Sequence, residues 1–315
     1  PVSPPAPLAL IAGPTASGKS AIALALAHAL TETGKRPVII NADSAQVYAD
    51  LQVLSARPSE EEMAGIEHRL FGAWDGAEAC SVAAWAARAK AEIAACHAVG
   101  DVPILVGGTG MYVKVLIEGI APIPEIDPAV RAAVRALPED AAYKLLQLGD
   151  PLRAAELDPG DRQRIARALE VKRSTGVTLG DWQLAKAGGI GDDVTLYPLV
   201  LEPDRPWLYE RCDLRFAAML EAGAIAEVEA LLTRQLDPDL PVMRAIGVPE
   251  IAAFLHEDIT YEAMIAAGAQ ATRNFAKRQF TWFRRQPPAE WPRATLGCES
   301  ESIEVDAHFA SLLRN

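Results

Sequence analysis

The sequence predicts an α/β fold, a parallel sheet flanked by helices and interrupted by a helical insertion. Three observations predict it. Short apolar runs alternate with longer helix-forming segments, the pattern of a parallel sheet covered on both faces. One of those runs passes through a Gly-rich turn, Gly13 to Ser20, directly into a helix. From 108 to 196 there is little β signal, only helical segments punctuated by proline and glycine.

In order, residues 1–7 are Pro-rich and expected to form a disordered tail. Leu8 to Ala12 is the first strand, and the Ala/Leu-rich stretch Ser20 to Leu30 is a buried helix. Pro37 to Asn41 (PVIIN) is the second strand and Val82 to Ala98 a helix. Val102 to Val106 (VPILV) is the third strand, ending at Gly107-Gly108, and Tyr197 to Leu201 (YPLVL) the fourth. Ala121-Pro122-Ile123-Pro124 reads as a linker, and 127–185 as helices broken at Pro138, Pro151, Pro159 and Gly176. Helices return at about 205–233, 248–255 and 261–284. The expected organisation is a core of 8–122 and 192–289, a helical insertion at 123–191, and a C-terminal tail at 290–315.

Length and composition agree. A chain of 315 residues, 50% apolar and 23% charged, has room for a large domain plus a smaller one. No apolar stretch approaches the ~20 residues that span a bilayer. The N-terminus lacks a basic segment and a long enough apolar run for a signal peptide, so a cytoplasmic protein without a membrane partner is expected. Cys80, Cys96, Cys212 and Cys298 are far apart and form no CxxC pair, which argues against disulfides and a Cys-based zinc site. The five histidines have no ligand spacing. The net charge of −12 opposes a nucleic-acid partner on average, although local charge decides.

Gly13-Pro14-Thr15-Ala16-Ser17-Gly18-Lys19-Ser20 fits G-x-x-x-x-G-K-[ST] between a strand and a helix, which makes the expected core P-loop NTPase-like. Its glycines let backbone N–H groups turn toward phosphate oxygens, and the helix N-terminus adds a favourable field. Lys19 supplies a point charge and Ser20 a ligand for Mg²⁺. The third strand ends in Val106-Gly107-Gly108-Thr109-Gly110, without the acid of a hydrolysing P-loop enzyme. An acid follows the second strand instead. Asp43 stands at the carboxyl end of the sheet, where ligands bind, and can act as base, metal ligand or helix cap. Gly107 to Gly110 forms either a second backbone nest or an ordinary turn.

Two segments depart from the acidic mean. From Ala263 to Ala289 there is no Asp or Glu, yet Arg273, Lys277, Arg278, Arg284 and Arg285 are present. Helical spacing puts Met264, Ala271, Phe275 and Trp282 on one face, and Arg273, Lys277 and Arg284 opposite, with Phe280 among them. Such a face suits RNA, or is simply solvated. The second segment is Arg162-Gln163-Arg164-Ile165-Ala166-Arg167, followed by Lys172-Arg173, with the same two readings. Arg211 and Arg215, one helical turn apart, have no acid three or four residues away and could reach phosphates.

Taken together, GPTASGKS (13–20), NADSAQVYADLQVLSARP (41–58), ILVGGTGMYVKVLIEG (104–119), DPGDRQRIARALEV (158–171), RCDLRFAAMLEAGAIAEVEALL (211–232), RAIG (244–247) and ATRNFAKRQFTWFR (271–284) resemble the tRNA dimethylallyltransferases, also called tRNA isopentenyltransferases. The resemblance covers about residues 11–284, in the family's order. It implies a P-loop fold that binds dimethylallyl diphosphate rather than hydrolysing ATP. The implied acceptor is N6 of the adenosine 3′ of the anticodon in tRNAs reading U-starting codons. Asp43 would take the N6 proton, Ser44, Ala45 and Gln46 would hold the flipped adenine, and Thr109 would touch the bridging oxygen of the diphosphate. Lys19 and Arg215, with Ser20 and Mg²⁺, would neutralise departing pyrophosphate. Arg131, Gln163 to Arg167, Arg244 and Gly247, and the basic helix with Arg273, Lys277 and Phe280, would hold the anticodon stem-loop of a tRNA bound to a monomer. The chain departs from the family at Val248-Pro249, where many members carry an aromatic and a basic residue. The alternatives are an adenylate dimethylallyltransferase, a P-loop kinase and a non-catalytic RNA-binding module.

Overall fold

In the computed structural model, which describes residues 5–297 and 304–314, strand and helix alternate from the start. The order is β1 (Ala6–Ala12), α1 (Lys19–Glu32), β2 (Pro37–Asn41), β3 (Glu67–Arg69), α2 (Val82–Val99), β4 (Val102–Gly107) and α3 (Gly110–Glu118). Helices α4 (Pro128–Arg135), α5 (Glu139–Gly149), α6 (Pro151–Glu156), α7 (Arg162–Thr175) and α8 (Leu179–Leu184) follow. Then come β5 (Val194–Leu201), α9 (Arg205–Glu221), α10 (Ala224–Thr233), a 3₁₀ turn (Pro241–Arg244), α11 (Val248–Leu255), α12 (Tyr261–Arg285), β6 (Arg293–Ala294), α13 (Val305–His308) and α14 (Ala310–Arg314).

The strands form one parallel sheet in the order β3-β2-β4-β1-β5-β6. Strand β1 lies between β4 and β5, so Leu8 to Ala12 have no exposed surface and need no polar face. The chain moves from β1 to β2 on one side and returns to β5 on the other. That reversal opens a crevice at the carboxyl ends of the strands. The approach there is close: a Cβ on Gly107 would stand 2.1 Å from the Ala42 carbonyl oxygen. Strands β3 and β6 escape the sequence reading because EHR and RA are too short and polar for a strand signal.

Both expected tails are corrected in part. Ala6 and Pro7 pair with Val194 and Thr195, and the His97 ring nitrogen lies 2.8 Å from the Pro7 carbonyl oxygen. Pro7 is the second residue of the strand, near the end where proline is tolerated; residues 1–4 lie outside the described region. After 290, β6 extends the sheet, and Phe309 and Leu312 are buried in the cluster that holds Leu26 and Ile39. Lys35 secures this end by donating to the Leu312 carbonyl at 2.6 Å. Residues 298–303 and 315 lie outside the described region, Cys298 among them; Cys80, Cys96 and Cys212 are free thiols. Among the described residues no helix is long and apolar enough to cross a membrane.

The chain divides into two compact units. The first holds the sheet. The second, Ile117–Ile190, has its own core, with Val134, Leu146, Ile165 and Leu169 buried together. Helices α4, α6, α7 and α8 begin at side-chain caps: Asp127, Asp150, Asp161 and Thr178 each accept a backbone N–H of the first turn. The expected linker at Ala121 to Pro124 lies inside this unit, where Ile123 packs against its core. The expected face of α12 is also corrected. Met264, Gly268, Ala269, Ala276, Gln279 and Phe283 are its buried positions, while Ala271, Phe275 and Trp282 are half-buried beside them.

Candidate active site

The turn after β1 is shaped by backbone geometry. Ala16 and Gly18 take positive φ (60° and 87°), which lets the chain reverse before α1. Ser17, fully buried, donates its hydroxyl to the Pro14 carbonyl at 2.7 Å, and Lys19 Nζ donates to the same oxygen at 2.6 Å. A Cβ on Gly13 would stand 2.9 Å from that of Leu201. One feature differs from a loop with every N–H turned to phosphate. The Thr15 N–H donates to Gln279 Oε1 on α12 at 2.8 Å, and Gln279 Nε2 donates to the Gly108 carbonyl at 2.8 Å. This buried amide therefore ties the turn after β1 to the turn after β4.

Asp43 is fixed from both sides. Asn41 accepts the Asp43 N–H at 2.9 Å and donates to its carbonyl at 3.0 Å, while Asp43 Oδ1 accepts the Ala45 N–H at 2.9 Å. The Thr109 hydroxyl accepts the Ser44 N–H at 2.9 Å and donates to Ser44 Oγ at 3.1 Å. Thr109 thus ties the turn after β4 to the Asp43–Ser44 segment.

Two cavities meet at this edge. One, of about 420 Å³, is lined by Thr15 to Ala21, Gln46, Gly107 and the α9 residues Arg211 and Arg215. The other, of about 290 Å³, is more apolar, with Tyr48, Leu51, Leu54, Phe216, Met219 and Phe275 beside Ser44 and Ala45. Thr15, Asp43 and Arg215 line both. Gln46 faces only the first, and its amide nitrogen is engaged by the Ser55 and Ala56 carbonyls (3.2 and 2.7 Å). Arg211 donates to the Ala16 carbonyl at 3.0 Å and stacks on Trp207.

Charge at the shared wall is unbalanced. Burial pushes the Lys19 ammonium down to about 8; Asp43 opposes that shift and Arg215 adds to it. Burial likewise lowers Arg215, against the pull of Asp43. Two desolvated cations face one carboxylate, an arrangement that a multiply charged anion completes. Ser20 is exposed at the start of α1. Among the described residues no group of three or more His, Cys, Asp or Glu side chains could hold a metal.

The remaining predicted residues divide. Arg244 lines the smaller cavity and pairs with Asp239. Gly247 has φ of 94°, a Cβ there would stand 2.5 Å from the Leu54 side chain, and Val248 behind it is buried. Gly247 is therefore required for packing. Arg273 is ion-paired to Asp213, Lys277 is exposed, and Phe280 packs against the core beneath Arg205. The expected open stacking surface at Phe280 is thereby corrected. In the second unit, Arg131, Gln163, Arg164 and Arg167 are exposed, with Arg164 3.5 Å from Asp161 and Arg167 4.0 Å from Glu170. Ile165 is a core residue, which turns its side chain inward, and half-buried Ala166 packs beside that core.

Sequence reasoning missed Gln279, the apolar lining and Glu227 on α10. The Glu227 carboxylate accepts the N–H groups of Gln52, Val53 and Leu54 at 2.6, 2.9 and 2.8 Å. It thereby fixes the loop that carries Leu51 and Leu54. No local pattern marks these residues, because their partners are far away in sequence.

Residues 46–286 match the family model described as IPP transferase. The chain is 65% identical over 287 residues to the tRNA dimethylallyltransferase of Erythrobacter litoralis, covering 91% of this chain and 90% of that one. It is 62% identical to that of Novosphingobium aromaticivorans, covering 90% and 99%. Among solved structures, a eukaryotic dimethylallyltransferase described as acting on tRNA superposes with a TM-score of 0.80 at 25% identity, covering 98% of this chain and 77% of that one. The tRNA isopentenylpyrophosphate transferase of Bacillus halodurans gives 0.67 at 30% identity, covering 98% and 94%.

Proposed function

The chain belongs to the IPP transferase family, and on that premise we propose that it transfers a dimethylallyl group from dimethylallyl diphosphate to N6 of the adenosine 3′ of the anticodon, in tRNAs that read codons beginning with U. The observation that carries the reading is the wall shared by the two cavities, where Asp43 and Arg215 face both. The larger cavity, with the Gly13–Ser20 turn and its cations, suits a diphosphate. The apolar one suits the adenine, with Ser44 and Ala45 at its edge.

The reacting carbon then lies at the junction. N6 attacks C1 of the prenyl group, the C1–O bond breaks, and the N6 proton passes to the Asp43 carboxylate. Lys19 and Arg215 stabilise the charge that develops on pyrophosphate, and burial makes their field stronger than in water. Ser20 fits Mg²⁺, which is usually held by one or two protein oxygens with substrate phosphates and would add positive charge to the leaving group. Thr109 positions Ser44. Exposed Arg131, Gln163, Arg164, Arg167 and Lys277 are groups placed to meet RNA, and Arg244 would exchange Asp239 for a phosphate. The protein is proposed to act as a monomer in the cytoplasm, where tRNA resides.

The test is transfer of labelled dimethylallyl from its diphosphate, with Mg²⁺, to an anticodon stem-loop and to free AMP in parallel. Label in the stem-loop alone is expected. Label in AMP alone would overturn the tRNA assignment, and label in neither, with ATP consumed, would point to a kinase.

A further inference from the structure

A third cavity, of about 390 Å³, lies away from the shared wall and is lined by Arg205, Thr281, Arg284 and Arg285. Arg205 opens α9; the others occupy the last turns of α12. Several arginines near these elements are neutralised: Arg273 by Asp213, Arg293 by Glu202, Arg234 by Asp50 and Asp75. Among the described residues, Arg205, Arg284 and Arg285 have no carboxylate within ion-pair distance. The absence of Asp and Glu between Ala263 and Ala289 leaves none nearby on α12. Arg205 is also oriented, its guanidinium lying 4.9 Å from the centre of the Phe280 ring. Three unpaired guanidinium groups around one hollow repel each other until an anion joins them, and their planar forks match phosphate oxygens.

Position along α12 suggests which phosphate. Arg278 and Phe275 line the apolar cavity. Arg285 lies seven residues beyond Arg278, on the same helix face and about 10 Å further along the axis. A strand whose base enters the apolar cavity would run its backbone past this point. We propose that Arg205, Arg284 and Arg285 form a second phosphate site, separate from the Gly13–Ser20 turn, that takes a backbone phosphate of the RNA acceptor. The inference rests on the tRNA reading above. A free phosphate or pyrophosphate has the same chemistry, and the experiment separates the two sources.

Binding of an anticodon stem-loop to the full chain would be measured across a salt series, without prenyl donor. The variants are Arg284→Gln with Arg285→Gln, and separately Arg205→Gln. Each is expected to weaken binding about tenfold at low salt. Each should also reduce the slope of log affinity against log salt by about 0.7 to 0.9, the value of one lost phosphate contact. Transfer at saturating stem-loop should stay within about twofold of wild type, because the reacting groups are untouched. Unchanged slopes in both variants would overturn the site. So would unchanged RNA binding with weakened inhibition by inorganic pyrophosphate, which would assign the cavity to a small anion. Failure of the wild-type chain to bind the stem-loop would instead sink the tRNA reading itself.

Discussion

The two cavities that meet at Asp43 are built by opposite means. The phosphate side is built on a local turn: consecutive residues, Gly13 to Ser20, with positive φ at Ala16 and Gly18 and a helix starting at Lys19. The acceptor side draws on distant segments, and the backbone pairing of its 44–57 wall is a single bridge, Tyr48 to Trp74. Side chains hold that wall: Glu227 gathers three N–H groups, Gln46 donates to two carbonyls, and Asp50 accepts the Gly76 N–H at 2.7 Å and pairs with Arg234. A site made from backbone dihedrals is insensitive to most neighbouring side chains. One tied by single side chains can lose its shape at a residue that never touches substrate.

The sharpest test of the comparison is the one carboxylate common to both walls. Asp43→Asn keeps the size and the hydrogen bond to the Ala45 N–H but removes the base. Turnover should fall about 10²-fold or more. Dissociation constants for stem-loop and donor, measured separately, should change only a few-fold. Loss of binding to either substrate in proportion to turnover would make Asp43 a binding residue and remove the division of labour between the cavities.

The phosphate side can be tested alone through Lys19. Its ammonium loses its proton near pH 8 in the free protein, and a bound diphosphate needs it charged. Pyrophosphate affinity should therefore fall by up to tenfold per pH unit above about 8, relative to Lys19→Arg, which stays charged. The sign for stability is opposite. From about pH 8 to about 10.5 the unfolded chain binds the extra proton, so the unliganded fold gains stability as pH rises through that window. Parallel pH profiles for wild type and Lys19→Arg would show that Lys19 does not face the anion.

The same contrast explains what could be read in advance. The alternation of strand and helix, the Gly13–Ser20 turn and the helices of the second unit are local patterns, and they are legible. Strands β3 and β6 are too short to leave a pattern, and β6 forms only because β5 offers an edge. Ile165 and Phe280 sit within basic runs, yet each is on the side of its helix turned to a core. Hydropathy misplaces the amphipathic phase of α12 because Gly268 and Gln279 occupy buried positions for close packing and for a two-ended hydrogen bond, neither of which it records. Thr109 is legible as a site residue, but its bond to Ser44, 65 positions away, leaves no local pattern.

The smallest expected effect lies on the acceptor side, at Glu227. Glu227→Gln preserves volume but replaces a carboxylate that accepts three N–H groups by an amide with one accepting oxygen. At least one of the Gln52, Val53 and Leu54 N–H groups then loses its partner, at about 1 to 3 kcal/mol. The loop relaxes and Leu51 and Leu54 shift in the apolar wall. KM for the stem-loop should rise several-fold while KM for dimethylallyl diphosphate holds, because no part of the Gly13–Ser20 turn depends on this loop. Glu227→Asp, which keeps the charge, should recover part of the loss. A parallel rise in both KM values would mean that the two cavities share their support after all, and that the loop from 44 to 57 and the turn after β1 move as one body.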